Sequence, residues 1–397
     1  MQISQKTLSA LEYDKIIDRL VAFASTDGAK SRAATLLPSD DYEVVSMRQK
    51  KTADAKRLIG AKGYPAFSAS ERVTGAAERA YKGAVLSPTE LLDVAALLRS
   101  ARALIDYISA DKPFDTVLDE IFLRMLPNRE LEEKITRSIL SEDMIADEAS
   151  PELAEIRRKI RITNNKIKDT LQSYTSGARL KYLQENIVTM RNGRYVVPVK
   201  AEYKGEMKGL VHDTSSSGAT LFVEPMAVVE ANNELKSLAA AEEHEIERIL
   251  SALSAECGES SSIITLNYHN ITELAFVFAC ATLASDMRAA MPNIVAERGL
   301  SLKRARHPLI PRDKDVSIGG DYDTLIITGP NTGGKTVTLK TMGLLALMAQ
   351  AGLQIPADES SHVGIFSEVL VDIGDEQSIE ASLSTFSSHM ENVVDIL

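Results

Sequence analysis

Residues 323–336 read Asp-Thr-Leu-Ile-Ile-Thr-Gly-Pro-Asn-Thr-Gly-Gly-Lys-Thr, an apolar run that leads directly into a glycine-rich loop. The residues that follow, 337–348, have the apolar spacing of a helix. The loop therefore has the form G-x-x-x-x-G-K-[ST] between a predicted strand and a predicted helix, which is the context that a phosphate-binding P-loop requires. We predict an α/β P-loop domain that begins at about residue 321.

The chemistry of the loop indicates a nucleoside triphosphate with Mg²⁺. Glycines let successive backbone N–H groups face one anion, and the helix N-terminus adds a partial positive charge. Lys335 would place its charge at the β- and γ-phosphates, and the Thr336 hydroxyl would ligate Mg²⁺. The alternative is a glycine-rich turn of a different α/β fold. The predicted ATP/ADP contacts are Gly329, Pro330, Asn331, Thr332, Gly333, Gly334, Lys335 and Thr336.

Hydrolysis needs more than the loop, because Mg²⁺ also requires a carboxylate at a second strand end and the attacking water needs an orienting residue. The nearest candidate is a short apolar run over 368–372 that ends at Asp372. Asp375 and Glu376 follow it, where a second apolar strand end with an acid would be expected. We therefore assign no catalytic residue and predict a partial ATPase domain over 321–397.

Upstream of the loop the apolar spacing is mainly helical, which predicts a multidomain, mainly α protein. We predict a helical core over 1–150, lever helices over 151–260, and a return helix with a connector over 261–320. Heptad-like spacing from Leu153 to Tyr174 predicts an outgoing helix of about 30 residues, or ~45 Å. The returning helix is expected over 227–255 and a third helix over 263–290. The alternative is a plain helical hairpin packed inside the core.

Residues 186–224 have a different pattern from the helices on either side. Their β-branched alternation and the turn signal at Asn192-Gly193 predict a small β-rich clamp tip. His212, Asp213 and the serines over 215–217 resemble hydrolase residues. Catalytic triads are assembled from separate segments, so we predict a turn between strands at this position.

The charges are unevenly distributed along the chain. The net charge is −11, yet residues 155–208 contain thirteen basic and five acidic residues, a net of +8 against −19 elsewhere. A basic segment in an acidic chain indicates one surface that faces a polyanion. The alternative is that these cations only solvate a helix face and pair with nearby acids such as Glu202 and Glu206. The residues predicted to contact nucleic acid are Arg191, Arg194, Lys200 and Lys204.

Composition excludes several classes of protein. No stretch approaches ~18 consecutive apolar residues, and the N-terminus lacks the pattern of a secretory signal. Cys257 and Cys280 form no CxxC pair, and we predict buried free thiols in preference to a disulfide. We expect a cytoplasmic protein with no membrane partner.

Taken together, the motifs resemble the MutS family of ATPases. GPNTGGKT, STFSSHM at 384–390 and Arg306-His307-Pro308 are similar to that family's Walker A loop, Ser-Thr-Phe segment and RHP element. LEYDKIIDRL at 11–20, VHDTSSSGATLFVEP at 211–225 and VDIGDEQSIEASLSTFSSHM at 371–390 resemble the second bacterial MutS subfamily. The similarity runs along essentially the whole chain.

The resemblance implies a homodimer with a helical core, levers, clamp domains and ABC-type ATPase sites shared between the two copies. It implies that Ser384 acts on the partner's nucleotide and that the neighbourhood of His307 contacts adenine. It also implies two roles: binding branched DNA to suppress recombination, and recognising collided ribosomes and splitting them, with the ribosome and its rRNA as partners. Members of the family continue with a Walker B carboxylate, a catalytic Glu and a nuclease domain, so we assign no nuclease activity to these residues. The alternative function is a non-hydrolysing module for nucleotide binding and dimerisation.

Overall fold

The computed structural model describes residues 3–111, 113–319, 324–328 and 334–373, with the backbone alone at 311–317 and 319. The chain divides into two units, which are described separately. Unit 1 comprises the described parts of 1–74, 96–129 and 262–397, and unit 2 comprises 75–95 and 130–261.

Helices predominate, so the mainly α fold expected from the sequence is confirmed. No helix within the described residues has both the length and the apolarity needed to cross a membrane. In chain order the elements are α1 (Gln5–Ala10), α2 (Tyr13–Phe23), α3 (Asp27–Ala34), α4 (Tyr42–Lys62), α5 (Arg72–Tyr81), α6 (Pro88–Ser109), α7 (Asp119–Leu123), α8 (Arg129–Ser138), β1 (Ile139–Ser141), β2 (Met144–Ile145), α9 (Pro151–Gln172), β3 (Thr189–Arg191), β4 (Arg194–Lys200), β5 (Gly209–Thr214), β6 (Thr220–Pro225), α10 (Met226–Glu259), α11 (Ser261–Asp286), β7 (Asn293–Val295), β8 (Gly299–His307), β9 (Ile310–Gly319), α12 (Lys335–Ala351) and β10 (His362–Gly364).

A buried aromatic cluster organises the core of unit 1 around α11. This helix is apolar on nearly every face, which is the pattern of a helix enclosed by other elements. Phe278 is fully buried, and its ring meets those of Tyr64, Phe67 and Phe122 edge to face at centroid separations of 5.4–6.4 Å. This geometry favours aromatic pairs, because the positive ring edge faces the negative ring face.

Unit 1 also contains a mixed sheet with the strand order β7-β10-β8-β9. β10 pairs parallel with β7 and antiparallel with β8, and β8 pairs antiparallel with β9. The turn between β8 and β9 holds Pro308 and Leu309, because His307 and Ile310 are register partners. The Arg306-His307-Pro308 element of the sequence therefore lies at a hairpin turn.

The described part of the P-loop segment contains the predicted helix but not the predicted strand. α12 covers 337–348 as expected and begins at Lys335. Among the described residues, no strand pairs with residues 324–328. Their backbone N–H and C=O groups therefore form no strand-to-strand hydrogen bonds with this part of the chain. The α/β architecture of 321–397 thus stays a prediction, since 329–333 and 374–397 lie outside the described residues.

In unit 2, α9 begins as predicted but ends early. Ser150 caps its first turn and Pro151 occupies the first helical position. The helix has 22 residues, not about 30, which shortens it to ~33 Å. The hydroxyls of Ser173 and Ser176 bond to carbonyls of the last turn, and Gly177 adopts a positive φ of 69°. Both features oppose continuation of the helix beyond Gln172. The predicted second and third helices are confirmed as α10 and α11.

Strands β3–β6 form an antiparallel sheet, in the order β3-β4-β6-β5, which we call the tip sheet. The turn between β3 and β4 is Asn192-Gly193, and both residues have positive φ, which is the two-residue hairpin that the sequence predicted. One face of the sheet packs on the ends of α9 and α10 through a buried cluster that includes Ile167, Val197 and Val228.

Candidate functional site

The start of α12 has the geometry of an anion site. Gly334 caps the helix in the left-handed region (φ 75°, ψ 27°), a conformation that suits glycine. Lys335 and Thr336 are the first two helical residues, so their side chains and backbone N–H groups lie at the positive end of the helix dipole. Thr338 closes the first turn through two 2.9 Å hydrogen bonds to the Gly334 carbonyl. The three described residues of the loop thus lie at the positive end of a helix, and their binding of a phosphate group and Mg²⁺ stays a prediction.

The opposite end of α12 is held firmly by α4. The fully buried Gln49 donates to the carbonyls of Ala349 and Leu353 at 2.9 and 2.8 Å, and Thr52 donates to that of Gly352 at 3.0 Å. Gly352 has a φ of 88°, and an added Cβ would lie 2.3 Å from Cβ of Arg48. The carbonyls that end the helix thus have partners inside unit 1.

His307, whose neighbourhood was expected to contact adenine, has a buried ring. Its Nδ1 accepts from the Leu309 N–H at 3.3 Å, and its Nε2 lies 3.9 Å from the Glu12 carboxylate. Burial lowers the pKa of His307, which outweighs the opposing effect of Glu12. The ring therefore supports the β8–β9 turn, and its approach to a nucleotide stays a prediction.

Other predicted site residues lie outside the described residues. These are Ser384, Asp375, Glu376 and the loop residues Gly329, Pro330, Asn331, Thr332 and Gly333. Asp372 is described: it is exposed and follows irregular chain, without the strand that was predicted over 368–372. Its part in Mg²⁺ binding stays a prediction.

In unit 2, a buried carboxylate joins the tip sheet to α10. The Glu224 side chain is fully inaccessible, and Arg194 donates to both of its oxygens, at 2.8 and 3.0 Å. His212 Nε2 lies 2.5 Å from one oxygen, and Asn232 on α10 donates to the other at 2.8 Å. Arg194 also donates to Asn233. Its guanidinium is therefore bonded within unit 2, and its contact with nucleic acid stays a prediction.

Further cations of the basic segment hold the base of α9. Arg157 bonds both Asp147 and Glu242 at 2.7 Å, and Arg161 bonds Asp147 at 3.2 Å. Nearby, Glu245 is buried and accepts from Arg248 and from Ser150, which lowers its pKa to about 2. These pairs connect α9 to α10 and to the turn before α9.

The remaining cations of the segment have no acidic partner. Among the described residues, eight of the thirteen lie more than 4 Å from every carboxylate oxygen, and seven of them lie between residues 166 and 208. The alternative of pairing with Glu202 and Glu206 is not observed in this part of the chain. The eight are Arg158, Lys166, Lys168, Arg179, Lys181, Lys200, Lys204 and Lys208.

Four of these eight lie near one of three tyrosines in space or in sequence, and we call them the tip cations: Arg179, Lys181, Lys200 and Lys204. The Arg179 guanidinium lies 4.3 Å from the ring centre of Tyr174, and the Lys181 ammonium 4.9 Å from that of Tyr182. Tyr182 contacts Tyr203 at 5.3 Å. Lys200 lies 3.4 Å from the Lys181 carbonyl, and Lys204 follows Tyr203. Sequence reasoning counted Arg179 and Lys181 but did not select them, although no acid stands within three residues of either.

Arg191 and the serines over 215–217 belong to the strands and turns of the tip sheet, where the sequence predicted a nucleic-acid contact and a turn. Arg191 pairs with Asp213 at 3.4 Å and stacks on Phe222 at 4.1 Å, so it is partly engaged. The serines over 215–217 form the turn between β5 and β6, as predicted, and His212 faces Glu224. Cys257 in unit 2 is buried and free, and so is Cys280 in unit 1.

Comparison with known proteins agrees with these motifs. The signature of MutS domain V matches residues 325–397. The chain is 47% identical over 403 residues to Endonuclease MutS2 of Acetivibrio thermocellus, 45% to that of Ruminiclostridium cellulolyticum and 44% to that of Clostridium perfringens. Each match covers 100% of this chain and 51% of the relative, so the chain spans about half the length of these relatives.

Proposed function

The chain belongs to the MutS2 family, and from this we propose that it is an ATP-binding, MutS-like protein that grips nucleic-acid assemblies as a homodimer. The assemblies are branched DNA in the suppression of recombination, collided ribosomes, or both. In this proposal ATP binding drives the conformational change that closes and releases the grip. The single observation that carries it is that the tip cations of unit 2 have no acidic partner among the described residues.

The absence of acidic partners makes these cations suitable for phosphates. A lysine paired with a carboxylate would have to lose that partner before it could bind a phosphate, whereas the tip cations need no such exchange. Each nucleic-acid phosphate that a protein cation contacts releases condensed counterions, and that release supplies most non-specific affinity. The chain outside 155–208 carries −19, which repels a polyanion and directs it to this surface.

The tyrosines beside the tip cations favour nucleic acid over an acidic protein. Tyr174, Tyr182 and Tyr203 offer ring faces and hydroxyls next to positive charge. Proteins that track nucleic-acid backbones commonly combine a basic surface with aromatic side chains. An acidic peptide would use the charges but not the rings.

The nucleotide part of the proposal is supported by the start of α12. Gly334, Lys335 and Thr336 have the positions that a P-loop assigns to the cap, the phosphate lysine and the Mg²⁺ ligand. ATP or ADP with Mg²⁺ would bind through these residues and the rest of the loop. Ser384 of the second copy would complete the site in the dimer.

Affinity measurements with matched variants test the proposal. We expect replacement of the four tip cations by alanine to weaken binding to a four-way DNA junction at least tenfold. A matched control replaces four exposed cations of unit 1, Lys50, Arg72, Arg298 and Lys303, so that net charge changes equally. The control should bind like the unmodified chain. Equal weakening of both variants would refute a local grip, and a parallel titration with ribosomes decides between the two targets.

The second candidate function is a nucleotide-binding and dimerisation module without turnover. It is favoured by the lack of a strand-end carboxylate within the described residues downstream of α12, where Asp372 follows irregular chain. Steady-state ATP hydrolysis by the 397-residue chain separates the two. Robust turnover would exclude this candidate and promote Asp372 or Glu376 to a catalytic assignment.

A further inference from the structure

A small pocket in unit 1 lies at the end of α12 remote from the P-loop. It has a volume of about 70 Å³ and is bounded by α3, α4, α11 and the last residues of α12. Arg32 and Arg48 face it together with Phe276, Val277 and Cys280. Since α12 has 17 residues, its two ends are ~25 Å apart, and the pocket is separate from the nucleotide site.

The charges around this pocket do not balance. Lys51 and Glu273 also line it, and they bond to each other, so their charges compensate. Among the described residues, neither Arg32 nor Arg48 has a carboxylate within 4 Å. Two guanidinium groups thus share one cavity with no acid left to neutralise them.

Their hydrogen-bonding capacity is also mostly unused. A guanidinium has five N–H donors. Arg48 donates to the Leu37 carbonyl at 3.1 Å, and Arg32 stacks over the ring of Phe276 at 5.1 Å. The nearby carbonyls of α12 need no arginine, because Gln49 and Thr52 already donate to them.

The surroundings of Arg48 are less polar than bulk water. Burial, and then the charge of Arg32, lower the pKa of Arg48. Burial raises the pKa of Cys280 to about 12, so its thiol is neutral and adds no competing negative charge. Phe276 and Val277 give the pocket apolar walls. Electrostatic attraction to an anion is larger in such a site than in bulk water.

We propose that this pocket binds a free tetrahedral oxyanion, inorganic phosphate or sulfate, between Arg32 and Arg48. At ~10–15 Å³ for each water-sized group, the volume accommodates about five heavy atoms, which is the size of such an ion and too small for a nucleotide. The bound ion would connect α3, α4 and α11 beside the end of the P-loop helix. It is a second anion site, independent of Lys335.

Methyl NMR on the 397-residue chain tests this with inorganic phosphate as the probe. All measurements use a chain that carries Lys335→Ala, so that phosphate binding at the P-loop does not dominate the chemical-shift changes. We expect saturable shifts of the Leu36 and Val277 methyl groups, which line the pocket. In the double variant Arg32→Gln with Arg48→Gln, the apparent Kd should rise at least tenfold. Glycerol 2-phosphate should give no saturable shift, because the pocket has no room for its carbon chain.

Two further variants keep the test decisive. Arg57→Gln is the matched control, since Arg57 also stacks on a phenylalanine, Phe114, but lies outside the pocket. It should bind phosphate normally. Arg32 lies on an exposed surface of α3, so Arg32→Gln alone should fold and still raise the Kd if the double variant unfolds. The proposal is overturned if the methyl groups show no saturable response to phosphate in the Lys335→Ala background, or if the double variant binds phosphate unchanged.

Discussion

Replacing Arg194 should destabilise the tip sheet far more than it changes binding to nucleic acid. Glu224 is fully buried and Arg194 is its bidentate partner, so Arg194→Ala leaves a buried carboxylate without its main counter-charge. Loss of one partner of a buried pair costs about 3–5 kcal/mol. His212 and Asn232 remain bonded to Glu224. We therefore expect a value near the lower limit, about 3 kcal/mol.

Native-state hydrogen exchange of β4 and β6 measures this cost locally. At 1.36 kcal/mol per factor of ten, a loss of about 3 kcal/mol lowers the protection of their amides by about 100-fold. Arg191 provides a matched control, because it faces Arg194 across the Asn192-Gly193 turn. Its ion pair is longer, at 3.4 Å, and half-exposed. Arg191→Ala should therefore cost less than about 1 kcal/mol.

A second comparison separates the buried charge from general packing. Replacing both partners, Arg194→Met with Glu224→Leu, removes the unpaired charge and should restore much of the protection. The reasoning would be refuted if Arg194→Ala left the exchange of β4 and β6 unchanged while it weakened DNA binding as strongly as Arg179→Ala. Arg194 would then be a contact residue and not part of the sheet's interior.

Three further predictions concern nucleotide binding, pH and backbone strain. Lys335→Ala should weaken ATP binding by about 1.5–3 kcal/mol, because a charged phosphate contact is lost, as measured by titration. The pKa of Glu245 is lowered to about 2 by Arg248. Its ion pair therefore stabilises the fold fully above about pH 4.5 and loses this effect as the pH falls toward 2, as denaturant unfolding at each pH will show. Gly352→Ala should cost at least ~2 kcal/mol in thermal unfolding, since the φ is positive and the methyl group meets Arg48.

Each of these predictions has a control within the chain. Lys340→Ala on the same helix should leave ATP affinity unchanged; an equal loss would remove the special role of Lys335. In Glu245→Gln, the loss of unfolding free energy as the pH falls from about 4.5 toward 2 should become smaller. An unaltered dependence on pH would contradict the stabilising role of the Glu245–Arg248 ion pair. Gly83 has a φ of 88°, the same as Gly352, with no atom within 4 Å of an added Cβ. Gly83→Ala should therefore cost less than Gly352→Ala, and equal costs would show that the contact is unimportant.

Local chemistry made some elements predictable from sequence. Ser150 and Pro151 indicate a helix start because they satisfy and pre-form the first turn, and α9 begins there. Asn192-Gly193 tolerates two consecutive positive φ values, and the hairpin turn forms at this pair. The length of α9 was overestimated because heptad spacing continues to Tyr174, while the hydroxyl groups of the last turn compete for its carbonyls.

The roles of individual cations could not be predicted in the same way. Arg191 and Arg194 stand three positions apart in one turn, yet only Arg194 reaches a buried carboxylate. That carboxylate, Glu224, is thirty residues away in sequence, so its partner depends on the strand register. The same holds for Arg157, whose partner Glu242 lies on the returning helix. Sequence identifies a basic segment, but the fold decides which of its charges remain available.

The salt dependence of binding to branched DNA tests the central claim most directly. Each duplex phosphate contact contributes about −0.9 to the slope of log K against log salt. If the tip cations, Arg179, Lys181, Lys200 and Lys204, each contact one phosphate, replacing all four with alanine should make the slope less negative by about 3–4. The four-cation control in unit 1 should retain the slope of the unmodified chain. An identical slope for the unmodified chain and the tip variant would contradict a phosphate grip at this surface.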